Sequence, residues 1–327
     1  SLCVYFLLTP LVNVNDTVML EFAKLGATSL IVAIVIALVI PELYRLLMSR
    51  KLQIKLPSSV PPAVAGSFAN LIPMAIIFIG AWVLKIALLH TSFGNIHVII
   101  NDIIGKPLTG MGGNIYGYAF AIFITFLLWV FGIHGSSIVM FGVLAPVLMM
   151  MSDANRQAAL NGQPLPNILT YEYFSFIGGV GLYICIACLI VGKSKQIREI
   201  AKIGLLPAIF GIHEPLIFGL PIMLNPLMLI PFALIPTINI IITYFCMTAG
   251  LVPLTNGVQI PWTTPPVISG FLVSGWQGSV LQLLLIILGV ILYIPFIRML
   301  DKQYLKEEAV NAANDEDDDI DFDDLTL

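Results

Sequence analysis

Long apolar runs with almost no charge are the feature of this sequence that most constrains its fold. Hydrophobic residues make up 58% of the 327 positions and charged residues 10%, whereas a soluble domain carries about a quarter charged residues. The runs have the ~20-residue length of a membrane-spanning helix and lack the alternating pattern of outer-membrane strands. The sequence therefore predicts an all-α integral membrane protein in a lipid bilayer. The runs cover residues 26–44, 69–89, 115–133, 173–191, 227–249 and 279–298.

Three further apolar runs are poor simple spans. The run at 135–151 is short, the run at 203–226 is interrupted by prolines, and the run at 251–278 is rich in Pro, Gly and Thr. Irregular backbone at membrane depth is stable only where protein or a water-filled cavity shields it. We therefore expect a multi-span helical bundle with re-entrant hairpins and broken helices.

Basic residues predict the orientation of the chain. They cluster at 44–55, 193–202 and 298–306, and cytoplasmic loops of membrane proteins carry an excess of Lys and Arg. These segments are therefore expected in the cytoplasm. The stretches 90–112 and 152–170, with little net positive charge, are expected outside.

The two ends of the sequence differ in character. The first residues, "SLCVYFLLTP", resemble the end of a membrane helix, which suggests that earlier spans are missing. The stretch 301–327 holds eleven of the nineteen acidic residues and two of the fifteen basic ones. Such a low-complexity acidic segment predicts a disordered tail in water. Because it follows the basic segment 298–306, the C-terminus is expected in the cytoplasm.

Neither a metal or cofactor site nor nucleic-acid binding is indicated. Cys185 and Cys188 form a CxxC pair, but no second CxxC and no histidine cluster at ligand spacing accompanies them. We interpret them as small residues that pack between helices. Basic residues interleaved with aromatics, the pattern typical of nucleic-acid binding, are also missing from the sequence.

Glu214 is the first candidate functional residue. It lies in "AIFGIHEPLIFGLPIMLNPLMLIPF", beside His213 and between glycines and prolines. A charge at the centre of a bilayer costs about 2.5–3.5 kcal/mol, so an acid in such a run usually faces a cavity. The alternative is a carboxylate that pairs with a base such as Lys202 at the membrane edge, or that lies near the surface. The role of His213 stays open.

His134 is the second candidate. In "LLWVFGIHGSSIVMFG" it lies between two glycines, before Ser136 and Ser137. Its imidazole either hydrogen-bonds a substrate or phosphate, or closes a helix end. The serines invite comparison with hydrolases, but the GxSxG elbow is missing and no triad is evident.

Neutral polar and aromatic residues complete the set of candidates. Indoles can stack on the apolar faces of sugar rings, and a few amides and hydroxyls suit sugar hydroxyls. Trp129 and Trp262 are also candidates for interfacial anchoring. Asn225, before Pro226, is a candidate helix cap as well as a ligand contact. The candidate binding residues are Trp129, Trp262, His213, Asn225, Thr263 and Gln259.

Three motifs together resemble one family. "FGIHGSSI", "FGIHEPLIFGLPIMLNPLMLIPF" and "IPWTTPPVISGFL" resemble the membrane Enzyme IIC of the lactose/cellobiose/diacetylchitobiose class, in the bacterial phosphoenolpyruvate-dependent sugar phosphotransferase system. "LGATSLIVAIVIALVIPELYRLLM" fits its earlier part, and the resemblance covers residues ~20–305. It implies a homodimer in the bacterial cell membrane that moves a disaccharide by alternating access.

The resemblance also implies domains, roles and partners. Residues 1–112 would belong to a dimerisation domain, 113–300 to a substrate domain, and 301–327 to the tail. Glu214 would accept the proton of the C6 hydroxyl, and His134 would hydrogen-bond sugar or phosphate. The phosphoryl donor would be a phosphocysteine on a separate IIB protein, which IIA serves. The family often has Asn or Thr where His213 stands.

Other functions fit the same residues. Glu214 and His134 also suit a proton relay in a proton-coupled secondary sugar transporter. An intramembrane hydrolase using Ser136 or Ser137, and a sensor that transports nothing, are weaker alternatives.

Overall fold

The chain divides into two mainly helical units. The structure is a computed structural model that describes residues 1–14, 17–20, 22–26, 29–54, 57, 62–220 and 222–318. The units comprise residues 1–110 and 111–327. This boundary lies close to the one expected at 112, while the roles assigned to the two domains stay predictions.

The first unit contains two long apolar helices. In α2 and α3 the side chains of Leu38, Val39, Ile79 and Trp82 are more than half exposed, which suits a surface that contacts lipid or another chain. The elements are α1 (Leu2–Leu8), the antiparallel strands β1 (Val12–Val14) and β2 (Thr17–Met19), a 3-10 helix (Phe22–Leu25), α2 (Leu30–Ser49), α3 (Pro62–Leu89), α4 (Ile96–Ile100), a π-helix (Asn101–Gly105) and α5 (Lys106–Gly112).

A buried histidine ties the short elements of this unit together. The Nε2 of His97 lies 3.2 Å from the hydroxyl of Thr9, and its Nδ1 lies 3.3 Å from the hydroxyl of Ser29. Burial, assisted by the charge of Lys24, lowers the pKa of His97 to about 4. His97 is therefore a neutral core residue with both ring nitrogens occupied.

The second unit packs its helices around buried aromatic side chains. Tyr118 and Tyr173 meet edge to face with ring centroids 5.4 Å apart, as do Phe126 and Phe232. The elements are α6 (Ile115–Val130), a π-helix (Ser136–Leu144), α7 (Ala145–Leu160), a 3-10 helix (Glu172–Ile177), α8 (Val180–Val191), α9 (Lys195–Ile209), α10 (Glu214–Gly219), α11 (Pro226–Thr248) and α12 (Ile268–Asp318).

Broken helices occur where the sequence predicts them, which confirms the fold class. Residues 210–213 interrupt the helical run between α9 and α10, and Gly211 adopts a φ of +77° there. In α12 the backbone leaves the helical conformation at Ser274 and Gly275. Residues 251–264 form no helix. Pro221, within the first broken region, lies outside the described residues.

Six helices of the described residues are long and apolar enough to cross a membrane: Leu30–Ser49, Phe68–Leu89, Ser136–Leu160, Glu172–Val191, Pro226–Thr248 and Ile268–Asn311. The run at 135–151 becomes a full-length span because its helix continues through the polar but helix-favouring residues 152–160. The run at 115–133, by contrast, forms only the 16-residue α6. α12 takes in the first part of the expected acidic tail, and residues 319–327 lie outside the described residues.

Candidate functional site

A cavity of about 360 Å³ lies within the second unit. Its wall combines the end of α6, the π-helix Ser136–Leu144, the 3-10 helix Glu172–Ile177, the break before α10 and the loop that precedes α12. Broken helices expose backbone and side-chain polar groups that continuous helices hide. The volume falls near the lower end of small-molecule sites, about 300–1,000 Å³.

His134 presents one ring nitrogen that is free for a ligand. The backbone N–H of Ser137 donates to its Nδ1 over 3.1 Å, and the hydroxyl of Ser137 lies 2.9 Å from the same atom. Because Nδ1 accepts, a neutral His134 carries its proton on Nε2. The imidazole is exposed and lines the cavity, so Nε2–H is a hydrogen-bond donor available to a bound molecule.

The loop that holds His134 is fixed by a close backbone approach. A Cβ added to Gly135 would lie 1.9 Å from the carbonyl oxygen of Thr125 on α6, so only glycine fits there. The π-helix beginning at Ser136 follows at once, and such helices are frequent at functional sites.

Trp129 forms the neighbouring wall. Its indole ring lies 4.2 Å from the ring of His134, centroid to centroid, with the planes tilted by 49°. Its Nε1–H donates to the hydroxyl of Ser136 over 3.4 Å. The indole is therefore held in one orientation with a flat apolar surface beside a polar donor.

Glu214 and His213 enter the cavity from the break before α10. Glu214 is the first residue of that helix, and its side chain is exposed to the cavity. Its carboxylate forms no hydrogen bond or salt bridge with any other residue that the structure describes. The alternative of a partner such as Lys202 does not hold, because Lys202 pairs with Glu199 at 2.7 Å.

His213 is neutral near pH 7. Burial lowers its pKa to about 4, although the carboxylate of Glu214 opposes the shift. Its Nδ1 is buried against α8, where a Cβ on Gly181 would come within 2.8 Å of it. His213 therefore adds no positive charge to the cavity.

The loop that precedes α12 carries Trp262. Thr264 donates from both its backbone N–H and its hydroxyl to the carbonyl of Pro261, which closes a tight turn around the indole. Trp262 is 66% exposed and lines the cavity. A Cβ on Gly211 would lie 3.4 Å from the Trp262 carbonyl, so the two irregular segments touch here.

Five of the eight candidate catalytic and binding residues therefore meet in the cavity, namely Trp129, His134, His213, Glu214 and Trp262, together with Ser136 and Ser137. Thr263 and Gln259 are not among the lining residues, although the neighbouring Thr264 and Ile260 are. Asn225 caps α11, since its side chain accepts from the N–H of Leu227 over 2.9 Å.

The cavity also contains residues that sequence reasoning missed. The 3-10 helix contributes Glu172, Phe174 and Ser175, and the π-helix contributes Phe141. The available signal was Glu172, an acid directly before an apolar run with no base nearby in the sequence. Within the described ranges, no group of three His, Cys, Asp or Glu side chains could hold a metal ion.

Comparisons with known proteins agree on one family. The family described as "Phosphotransferase system, EIIC" matches residues 2–236. The chain is 42% identical over 297 residues to the lichenan permease IIC component of Bacillus subtilis (strain 168), covering 88% of this chain and 65% of that protein. It is 37% identical over 298 residues to a cellobiose-specific EIIC component of Geobacillus stearothermophilus, covering 88% and 66%. The chain thus spans about two thirds of the length of these relatives.

A solved structure shows the same fold. The crystal structure of the transporter ChbC, the IIC component of the N,N'-diacetylchitobiose-specific phosphotransferase system, superimposes with a TM-score of 0.88 at 36% identity. The match covers 94% of this chain and 75% of that one.

Proposed function

The chain belongs to the phosphotransferase system EIIC family, and we propose that it is a multi-pass membrane permease for a β-linked disaccharide of the cellobiose, diacetylchitobiose or lactose type. It would move the sugar by alternating access and present its C6 hydroxyl to phosphorylated IIB. The relatives' stated specificities, for lichenan, cellobiose and diacetylchitobiose, support this substrate class.

One observation carries the proposal. A free carboxylate on Glu214 and a free donor on His134 face one cavity that two indoles also line. The indoles of Trp129 and Trp262 offer flat surfaces for the apolar faces of two sugar rings. The carboxylate and the imidazole supply an acceptor and a donor for hydroxyl groups.

The geometry suits phosphoryl transfer to a hydroxyl. The C6 oxygen forms a bond to phosphorus, the bond from phosphorus to the cysteine sulfur of IIB breaks, and the thiolate leaves. The hydroxyl proton passes to the carboxylate of Glu214, which acts as general base. The Nε2–H of His134 donates to the sugar or to a phosphoryl oxygen. Because its pKa is lowered, His213 is a weak base and does not compete with Glu214 for the hydroxyl proton. Positioning and electrostatics supply most of the rate of such transfers.

The proposed partners follow from this reaction. All four cysteines lie in apolar helices, Cys3 in α1, Cys185 and Cys188 in α8 and Cys246 in α11. We therefore assign the phosphocysteine to a separate IIB, which IIA serves. The exposed apolar faces of α2 and α3 support a homodimer. The protein would lie in the bacterial cell membrane with its C-terminus in the cytoplasm.

Replacing the base tests the proposal. Glu214→Gln keeps the shape of the side chain and removes its charge, so we expect phosphorylation of the sugar to fall about 100-fold or more, in line with general-base catalysis. Disaccharide binding by the purified protein should fall by less than tenfold. Glu199→Gln, an exposed acid on α9, is the matched control and should behave as wild type. Normal phosphorylation by Glu214→Gln would rule out the base role.

The same samples separate the proposal from a proton-coupled transporter. In membrane vesicles, uptake of labelled disaccharide should require IIB and phosphoenolpyruvate and should survive an uncoupler. Uptake that proceeds without IIB and collapses with the uncoupler would contradict the proposed permease and indicate a proton-coupled secondary transporter.

A further inference from the structure

Glu172 is a second carboxyl group in the cavity wall, and it is buried. The residue is 3% exposed and begins the 3-10 helix Glu172–Ile177. One carboxylate oxygen, Oε2, accepts from the hydroxyl of Ser152 over 2.6 Å. The other, Oε1, is buried with no hydrogen-bond partner among the described residues. By its geometry, Oε1 is thus the open acceptor of this carboxyl group.

An unused buried carboxylate oxygen calls for a partner. Leaving a buried polar group unpaired costs about 1–3 kcal/mol, and more for a charged group. No lysine or arginine occurs among the described residues of the cavity wall, so the wall offers no counter-charge. Neither histidine of the wall forms a hydrogen bond with Oε1: Nδ1 of His134 is bonded to Ser137, and Nδ1 of His213 lies against α8.

The carboxyl group is nevertheless held firmly in place. The hydroxyl of Ser152 lies 2.6 Å from Oε2 and 3.0 Å from the carbonyl oxygen of Leu148, and it accepts from the backbone N–H of Tyr171 over 3.0 Å. Ser152 itself is 1% exposed. An oriented side chain with one open acceptor is the arrangement that binding sites use to select a ligand by a single polar group.

We propose that Oε1 of Glu172 accepts a hydrogen bond from a sugar hydroxyl other than the C6 hydroxyl, and that this contact selects the disaccharide. The inference rests on the proposed function and assigns to Glu172 a role separate from that of Glu214. Ser152 is the positioning residue, because it turns the carboxyl group without lining the cavity. A ligand without a hydroxyl at that position leaves the carboxyl unpaired, and sites that hydrogen-bond a substrate hydroxyl reject such analogues strongly.

Binding of deoxy sugars to the purified protein tests this role. The probes are the disaccharide that wild type binds best and its monodeoxy analogues, titrated against wild type, Glu172→Gln and Ser152→Ala, with Glu199→Gln as control. For one hydroxyl other than C6 we expect removal to weaken wild-type binding about tenfold or more, since a buried oxygen left without its hydrogen bond costs about 1–3 kcal/mol. Glu172→Gln should lose about tenfold for the parent sugar and little more for that analogue.

The outcomes separate this inference from the proposed function. If Glu172→Gln binds the parent sugar as wild type does, or keeps the wild-type ranking of the analogues, Glu172 is not the selecting residue. If Glu172→Gln yields no folded protein, Ser152→Ala decides: it should reduce the effect of removing the same hydroxyl, and an unchanged ranking rejects the role. A wild-type protein that binds no disaccharide would instead overturn the proposed function, and this inference with it.

Discussion

At the scale of the residue, Ser137 decides which nitrogen of His134 faces a ligand. Its backbone N–H and its hydroxyl both lie within hydrogen-bond distance of Nδ1. The neutral imidazole therefore keeps its proton on Nε2, and it acts towards the cavity as a donor. Glu214, the other free group, can act there only as an acceptor when ionised. A bound hydroxyl group can therefore donate its hydrogen to Glu214 and accept from Nε2–H of His134.

Two amide substitutions of His134 test this assignment. The amide nitrogen of Gln reaches about as far from the backbone as Nε2, whereas that of Asn replaces Nδ1. We expect His134→Gln to keep part of the phosphorylation rate and His134→Asn to lose a further tenfold or so, the amount that a hydrogen bond to a charged or reacting group contributes. Rates should be measured with saturating IIB, beside a binding titration. Equal rates for the two variants would contradict a donor at Nε2.

Glu214 and His134 could be identified from sequence because each is an ionisable residue inside an apolar run. Glu172 gave a weaker signal, because it stands at the junction between an expected outer loop and a span, where acids are common. Its contact with Ser152 joins residues 20 positions apart and exists only in the fold. For Asn225 the sequence favoured neither role clearly, and the structure shows the capping bond.

At the scale of the element, Gln282 fixes the turn at Val267, where the loop beside the cavity enters α12. Its side-chain oxygen accepts from the N–H groups of Val267 and Gly270 over 2.6 and 2.8 Å, and its amide donates to the carbonyl of Ser175 over 3.1 Å. Val267 has a φ of +74°, a strained conformation for a β-branched residue that costs about 1–3 kcal/mol. Gln282 is fully buried and holds this strained turn against the 3-10 helix Glu172–Ile177.

Removing that side-chain amide should loosen the site without touching the ligand. Gln282→Leu leaves two backbone N–H groups without their acceptor, so we expect disaccharide affinity to fall about tenfold and the melting temperature in detergent to fall. Adding Val267→Gly should recover part of the affinity, because glycine accepts a positive φ without strain. The exposed Gln303 on α12 provides the control, Gln303→Leu. Wild-type affinity in Gln282→Leu would show that the turn needs no such support.

The breaks in α9–α10 and α12 follow from clusters of proline and glycine, so their existence could be predicted from sequence. The π-helix Ser136–Leu144 could not, because its composition suits an ordinary α-helix equally well. It begins directly after Gly135, whose backbone lies close to the carbonyl of Thr125, a contact between elements that only the fold provides. The sequence also underestimates the length of the span at Ser136–Leu160. The apolar run ends at the first polar residues, while the helix continues through them.

At the scale of the whole molecule, two basic segments lie side by side. Asp301 on α12 accepts from the backbone N–H groups of Lys193 and Ser194 over 2.9–3.0 Å, and Glu308 accepts from those of Lys195 and Gln196 over 2.8 and 3.3 Å. These carboxylates bind the start of α9, where helical N–H groups lack partners. The segments 193–202 and 298–306 therefore lie together, as the shared cytoplasmic location inferred from their charge requires. The sequence could supply their charge but not the contacts that join them.

The orientation of the chain can be tested with single cysteines on a background in which the four native cysteines are replaced by alanine. Lys195→Cys and Lys306→Cys place a thiol on each of the adjoining basic segments, and Gln163→Cys places one in the loop after α7, which is expected outside. All three positions are exposed. A maleimide that cannot cross membranes should label Gln163→Cys in intact cells, and the other two only after permeabilisation, because Lys and Arg are retained in the cytoplasm.

The paired contacts of Asp301 and Glu308 sharpen the test, since they require the two lysine positions to behave alike. Labelling of one lysine position from outside and the other from inside would contradict the packing of α9 against α12. Labelling of both from outside would leave the packing intact and invert the orientation, and IIB would then have no access to the sugar from the side that these segments occupy.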